Sequence, residues 1–330
     1  MRALITGGAG FIGSHLAERM LQDGHEVLLL DNLSTGRVEN IRHLKQYDRM
    51  QYFLEPIENR KLLAELVDEA EVVFHLAAAV GVRLIVESPV RTIETNVTGT
   101  HLVLEAAAKK HKLVFFASTS EVYGKNLNVP FDEDADLVLG PTNKGRWSYA
   151  ASKALDEFLA LAYWRERKLP VIVARFFNTV GPRQTGKYGM VMPTLIGQAL
   201  AGLPLTVFGT GQQSRCFCDV QDCVEAILGL VDNDQAVGEV INIGTDHEVT
   251  IDALAELIRK LTRSRSPITH IPYDEAYAPG FEDMQRRVPS LRKLELLTNF
   301  RPRTALPEII ERIAIDITDK RQMRLVGAAV

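Results

Sequence analysis

The segment that most constrains this chain is its beginning, where an apolar run, Ala3–Thr6, passes into Gly7-Gly8-Ala9-Gly10-Phe11-Ile12-Gly13. An amphipathic stretch follows, and a second apolar run, Val27–Leu30, ends at Asp31. Strand, glycine turn, helix and strand in that order form a β-α-β unit suited to a dinucleotide. Gly7 permits the sharp turn, Gly10 lets backbone approach a pyrophosphate, and Gly13 lets the helix pack closely on the strand. The helix that starts at Phe11 and Ile12 aims unpaired N–H groups and its positive dipole end at the phosphates. Asp31, followed by Asn32, is placed to accept hydrogen bonds from ribose hydroxyls. Its charge opposes a 2′-phosphate, so NAD is expected rather than NADP.

Further apolar runs at Val72–Leu76, Val114–Ala117 and Val171–Arg175 alternate with helical periodicity over Leu62–Glu69, Thr95–His111 and Tyr149–Lys168. Repeated β-α-β units predict an α/β fold of Rossmann type, a doubly wound parallel sheet that binds ligands beyond its strand ends. After Asn178, Gly181-Pro182, Gly186, Gly189 and Pro193 break the pattern, while Val240–Gly244 reads as a strand returning to the sheet. Thr250 is placed to cap a helix through Leu261. The expected division is a NAD-binding domain from residues 1–177 and 215–249, and a smaller discontinuous α/β substrate lobe from 178–214 and 250–325. Residues 326–330 are expected to be a disordered tail.

A chain of 330 residues with 46% hydrophobic content can fill such a core, and a formal charge of −4 excludes a broadly basic surface for nucleic acid or anionic membrane. No apolar stretch approaches the roughly 20 residues that cross a bilayer, and the chain opens on a strand rather than a signal sequence. A cytoplasmic protein with no membrane partner is therefore expected. Cys216, Cys218 and Cys223 are the three cysteines. They form no disulfide framework, and although Cys216 and Cys218 would share a strand face, nothing nearby completes a metal site. Buried thiols and no metal are expected.

Tyr149 and Lys153 stand four residues apart on a helical stretch and share a face. An ammonium beside a phenol lowers its pKa from about 10 toward neutrality, which suits a general base for an alcohol proton. A scaffold that only bound a dinucleotide would not need this pair, which is intact.

Several motifs occur in one order: Gly7-x-x-Gly10-x-x-Gly13, His75-Leu76-Ala77-Ala78, Asn96-x-x-Gly99-Thr100, Ser118-Thr119-Ser120-Glu121-Val122-Tyr123-Gly124, Tyr149-x-x-x-Lys153 and Arg175-Phe176-Phe177-Asn178. Together they resemble the extended short-chain dehydrogenase/reductases that modify nucleotide sugars. The resemblance implies that Leu76, Ala77, Ala78, Asn96, Ser118 and Phe176 line the NAD site. It further implies that Thr119 and Tyr149 bond the sugar hydroxyl, that Lys153 grips the nicotinamide ribose, and that NAD takes hydride from sugar C4. A homodimer through the helices at 95–111 and 149–168 is implied as well.

Subfamilies of this group differ around the resulting ketone. Ser120-Glu121 lacks the Asp-Glu pair implied for a 4,6-dehydratase, and Ser118–Gly124 is similar to UDP-glucuronate decarboxylases. Arg286-Arg287-Val288-Pro289-Ser290 resembles their Arg-Lys-Pro segment, and a guanidinium such as Arg287 can hold a carboxylate through two parallel hydrogen bonds. Phe131–Asp134, Gly140–Tyr149 and Arg215-Cys216-Phe217 are similar to the decarboxylase domain of the lipid A aminoarabinose pathway and, more loosely, to UDP-xylose synthases. Arg83, Asn178, Arg183 and Arg215 are implied to contact a nucleotide-sugar substrate, with a UDP-sugar favoured. The activity expected is oxidation of UDP-glucuronate at C4 and loss of its carboxylate, giving UDP-xylose or a UDP-4-keto-pentose. The alternative is a UDP-sugar 4-epimerase.

Overall fold

Alternation of buried side chains along short apolar strands gives two cores, one on each face of a parallel sheet, in the computed structural model. It describes residues 1–81, 88–186, 189–276 and 284–327. The strands are β1 (Arg2–Thr6), β2 (Glu26–Leu30), β3 (Met50–Phe53), β4 (Val72–His75), β5 (Leu113–Thr119), β6 (Val171–Phe176), β7 (Thr179–Val180), β8 (Leu205–Phe208), β9 (Ser214–Cys216), β10 (Cys218–Asp219), β11 (Val240–Ile243), β12 (Glu248–Thr250) and β13 (Ile268–Ile271). The helices are α1 (Phe11–Gln22), α2 (Arg60–Glu69), α3 (Pro89–Ala108), α4 (Ser148–Arg167), α5 (Val191–Ala201), α6 (Val220–Val231), α7 (Ile251–Leu261), α8 (Tyr273–Ala276), α9 (Arg292–Thr298) and α10 (Leu306–Gly327).

The main sheet runs β11-β6-β5-β4-β1-β2-β3 with every neighbour parallel, as expected for a Rossmann-type fold. Ile5, Leu29, Phe74 and Phe115 face α1 and α6. Leu4, Leu28, Val73 and Phe116 face α2, α3 and α4. Strand order reverses between β1 and β4, and the crevice beyond that switch point is where such sheets bind nucleotides. β3 is absent from the sequence reading because it is an edge strand with Gln51 and Tyr52 exposed, so no apolar run marks it. Helix α3 begins earlier than its periodicity suggested because Pro89 fits the first turn, where its missing N–H costs nothing.

A third core gathers Met192, Leu195 and Ile196 of α5, Leu205 and Val207 of β8, Leu254 and Ile258 of α7, and Ile309, Ile310 and Ile313 of α10. The Thr250 side chain caps α7 by accepting from Ala253 N at 3.1 Å, as expected. Leu291 and Leu294, however, pack into the first core, where α9 lies against α6 and β11. We propose on this packing the division at residues 178, 215 and 250 into a dinucleotide part and a substrate part, with α9 docked on the first.

Two expectations are corrected. Residues 326 and 327 close α10 instead of beginning a disordered tail, while 328–330 lie outside the described residues. Cys216 and Cys218 do not share a strand face. The chain breaks at Phe217, and Cys216 pairs with Glu248 of β12 whereas Cys218 pairs with Thr179 of β7. All three thiols are free and buried. Among the described residues no helix is long and apolar enough to cross a membrane.

Candidate active site

The glycine turn is cut to fit backbone. Gly7 has φ +74°, and a Cβ there would meet Ala77 N at 2.8 Å, while a Cβ on Gly13 would meet Gly7 O at 2.3 Å. Gly10 caps α1 without any side-chain hydrogen bond, so the N–H groups of the first turn, at Phe11 and Ile12, stay directed into the crevice. The Asp31 carboxylate accepts from Leu33 N at 2.7 Å and Ala9 N at 2.9 Å, which ties β2 to the turn. Burial raises its pKa above the ordinary value, against the pull of these N–H groups. The Gly10 N–H bonds the carboxylate as well, which still leaves it acceptor capacity for a ribose hydroxyl. Asp31, Asn32, Ala77, Ala78, Ile57, Thr95 and Gly99 line a cleft beside Gly7. Glu55 and Glu58 line it too, so the cleft is acidic at the Asp31 end and suits a ribose with free hydroxyls, while the N-terminus of α1 beside it suits a pyrophosphate.

Tyr149 and Lys153 project from the first turns of α4 and are both buried. Thr119 ends β5 within hydrogen-bonding range of the Tyr149 phenol, and its hydroxyl also accepts from Glu121 N at 3.2 Å. The expectation that Lys153 draws the phenol toward neutrality is corrected. Burial, then the Glu121 carboxylate, pushes the Tyr149 pKa above its ordinary value, with Thr119 opposing. Lys153 Nζ is engaged instead by Asp156 at 3.7 Å and by the Phe116 ring at 4.0 Å. Burial brings the lysine down to about 8.

Glu121 lies next to this pair. Its carboxylate bridges Arg146 Nη1 at 2.5 Å and Arg287 Nη2 at 2.7 Å, all three side chains being almost wholly buried. The two guanidinium groups overcome the burial cost and hold the carboxyl far below the ordinary carboxylate range. Arg287 also reaches Asn178 Oδ1 at 3.5 Å, and Asn178 donates to Cys216 O at 3.3 Å. Sequence reasoning missed Arg146 as a site residue, although its place three residues before Tyr149 brings it to the same end of α4. Ser120 is buried between Thr119 and Glu121.

Other expected residues are placed by different contacts. Arg183 is engaged by α1 and the loop before β3: its guanidinium meets Glu18, Ser14 O at 3.2 Å and His43 at 3.1 Å. Asn96 acts through the loop after β4, accepting from Ala79 N at 2.8 Å and donating to Ser152 Oγ at 3.2 Å. The Ser118 hydroxyl turns inward to Glu157, which Arg175 grips from β6. Phe176 meets Phe115 edge-on at 6.4 Å, and Leu76 packs against the first core. Arg215 is buried, donating to Ser214 O at 2.7 Å. Arg83 lies outside the described residues.

The profile of the GDP-mannose 4,6 dehydratase family matches residues 4–313. A UDP-N-acetyl-alpha-D-glucosaminuronate decarboxylase of Bacillus cytotoxicus is 45% identical, covering 91% of this chain and 92% of that protein. UDP-glucuronic acid decarboxylase 1 of Danio rerio is 36% identical over 93% of this chain and 70% of its own length. Among solved structures, a UDP-glucuronic acid 4-epimerase from Bacillus cereus, in complex with UDP-glucuronic acid and NAD, superposes with a TM-score of 0.88 at 28% identity, covering 97% of this chain and 100% of that one.

Proposed function

The chain belongs to the GDP-mannose 4,6 dehydratase family of extended short-chain dehydrogenase/reductases, and on that premise we propose that it decarboxylates a UDP-hexuronic acid. The observation that carries this is the buried Arg146–Glu121–Arg287 cluster close to Tyr149. The Arg287 guanidinium, beside Glu121 and Asn178, is placed to receive a substrate carboxylate. The similarity to decarboxylases of both glucuronate and N-acetylglucosaminuronate supports the acid without fixing its C2 substituent.

NAD would be held by Gly7, Gly10, Gly13, Phe11, Ile12, Asp31, Asn32, Ala77, Ala78 and Lys153. When bound it supplies the oxidant for the C4 alcohol. Thr119 and Tyr149 hold the C4 oxygen; Tyr149 can take the hydroxyl proton only once its phenol has lost its own to solvent, an ionisation that the positive charges of Lys153 and of bound NAD would favour. In the 4-ketone the carboxylate carbon C6 is β to the carbonyl. The C5–C6 bond then breaks, its electron pair passes into a C4–C5 enolate, and carbon dioxide leaves. Carrying the proton it has taken, Tyr149 is a neutral phenol, and it and Thr119 are suited to bonding the enolate oxygen as its charge develops. Arg287 orients the carboxylate, while the Glu121 charge keeps it from being bound too firmly to leave.

We also infer a homodimer. Val90 and Ile93 on α3, and Leu155 and Phe158 on α4, are exposed apolar side chains on two helices that pack together. The three free thiols fit the reducing cytoplasm expected from the sequence.

The test is mass analysis of products after incubation with UDP-glucuronate, UDP-N-acetylglucosaminuronate and their neutral UDP-hexose counterparts. A UDP-pentose or UDP-4-keto-pentose from a uronate supports the proposal. Turnover of neutral hexoses alone, or a C4-inverted uronate with all carbons kept, supports the epimerase.

A further inference from the structure

Behind Tyr149 lies a buried charge pair whose acid the decarboxylation scheme leaves unused. Asp156 is fully buried one turn along α4, with Oδ2 3.7 Å from Lys153 Nζ. The Phe116 ring of β5 covers the ammonium from the sheet side. Burying either charge alone is costly, so each side chain needs the other.

The surrounding groups leave this assignment to Asp156. Glu157, the next acid on α4, is committed to Arg175 at 2.8 Å and to Ser118. From α3, Thr100 faces Asp156, and its Oγ1 stands 3.2 Å from His75 Nε2. His75, on β4, is bonded through Nδ1 to Thr6 Oγ1 at 2.8 Å, and burial with the nearby Lys153 holds its pKa down to about 3, so it brings no charge. Glu121, Arg146 and Arg287 pair with one another on the Tyr149 side.

We propose that Asp156 is a positioning residue, one that fixes the Lys153 ammonium between its own carboxylate and the Phe116 ring and keeps that side chain charged behind Tyr149. The proposal deepens the assignment of Tyr149 and Lys153 as the working pair and rests on it. Burial pulls Lys153 down to about 8, and the Asp156 carboxylate is the largest effect opposing that pull.

Protein carrying ¹³C at the lysine Cε positions tests this directly, with the Lys153 resonance identified from Lys153→Arg. The midpoint of the Lys153 titration is expected to fall by about one pH unit or more in Asp156→Asn, and to recover in Asp156→Glu. Asp156→Ser, smaller and also neutral, is expected to give the same fall and serves if the Asn variant does not fold. Turnover of Asp156→Asn is expected to drop about tenfold at pH 8 and recover toward pH 6, with KM for the sugar within about twofold. An unchanged midpoint, or loss of turnover uniform across pH, overturns the proposal. A shifted midpoint without carbon dioxide from any UDP-uronate would keep the role of Asp156 and remove the decarboxylase reading. Decarboxylation with an unshifted midpoint would do the reverse.

Discussion

Arg287 Nη2 lies 2.7 Å from Glu121 Oε1 while Arg146 Nη1 lies 2.5 Å from Glu121 Oε2, so a single carboxylate holds two buried guanidinium groups apart. Removing its charge takes from both guanidinium groups a buried ion-pair partner. Glu121→Gln is therefore expected to lose about 3 kcal/mol of stability, read by urea unfolding at neutral pH, whereas Glu121→Asp loses less. Equal stability of Gln variant and parent would remove the cluster from its structural role.

Tyr149→Phe keeps the ring and deletes the proton carrier. Turnover is expected to fall about 1,000-fold, within the range of general acid–base catalysis, with the sugar KM little changed. The alkaline side of the parent profile is expected to decline above about pH 8, where Lys153 gives up its proton. Steady-state rates across pH 6–10 check both statements.

His15 stabilises the fold only while neutral. Gln221 Nε2 lies 3.0 Å from its Nδ1 and the Pro182 carbonyl 2.9 Å from its Nε2, the pattern of a neutral ring accepting at one nitrogen and donating at the other. Burial, then Arg183, lowers its pKa from 6.5 to about 4. Between those values the unfolded chain binds a proton that the native state refuses, so stability is full above pH 6.5 and is lost as pH falls toward 4. The shift corresponds to about 3 kcal/mol. His15→Gln is expected to flatten this part of the unfolding-energy profile.

Arg183 fastens the loop after β7 to α1 through Glu18, and its backbone N–H meets Asp316 of α10 at 3.2 Å. Arg183→Ala is expected to cost about 1 kcal/mol of stability while the KM for the nucleotide sugar stays within about twofold. A KM rise of about tenfold at unchanged melting temperature would place Arg183 in the substrate site instead.

What could be read in the sequence was whatever local chemistry determines. Gly7, Gly10 and Gly13 are legible because no other residue type tolerates the backbone approach they permit. Thr250 is legible because a hydroxyl before an apolar helix has one common use. The side-chain partners were less accessible. Arg183 sits in a motif but meets Glu18, a pairing across the fold that spacing does not reveal. Arg146 and Glu121 meet only because β5 and α4 converge. Tyr149 and Lys153 do share a helix face, yet burial and Glu121 set the phenol's protonation, and neither influence is local.

Carbon dioxide release tests the central claim most directly. UDP-glucuronate and UDP-N-acetylglucosaminuronate labelled with ¹³C at C6 are each incubated with the purified protein and with Tyr149→Phe. One equivalent of labelled carbon dioxide per sugar consumed from at least one substrate, abolished in the variant, is the result predicted. Sugar consumed with all of its label retained at C6 would contradict it.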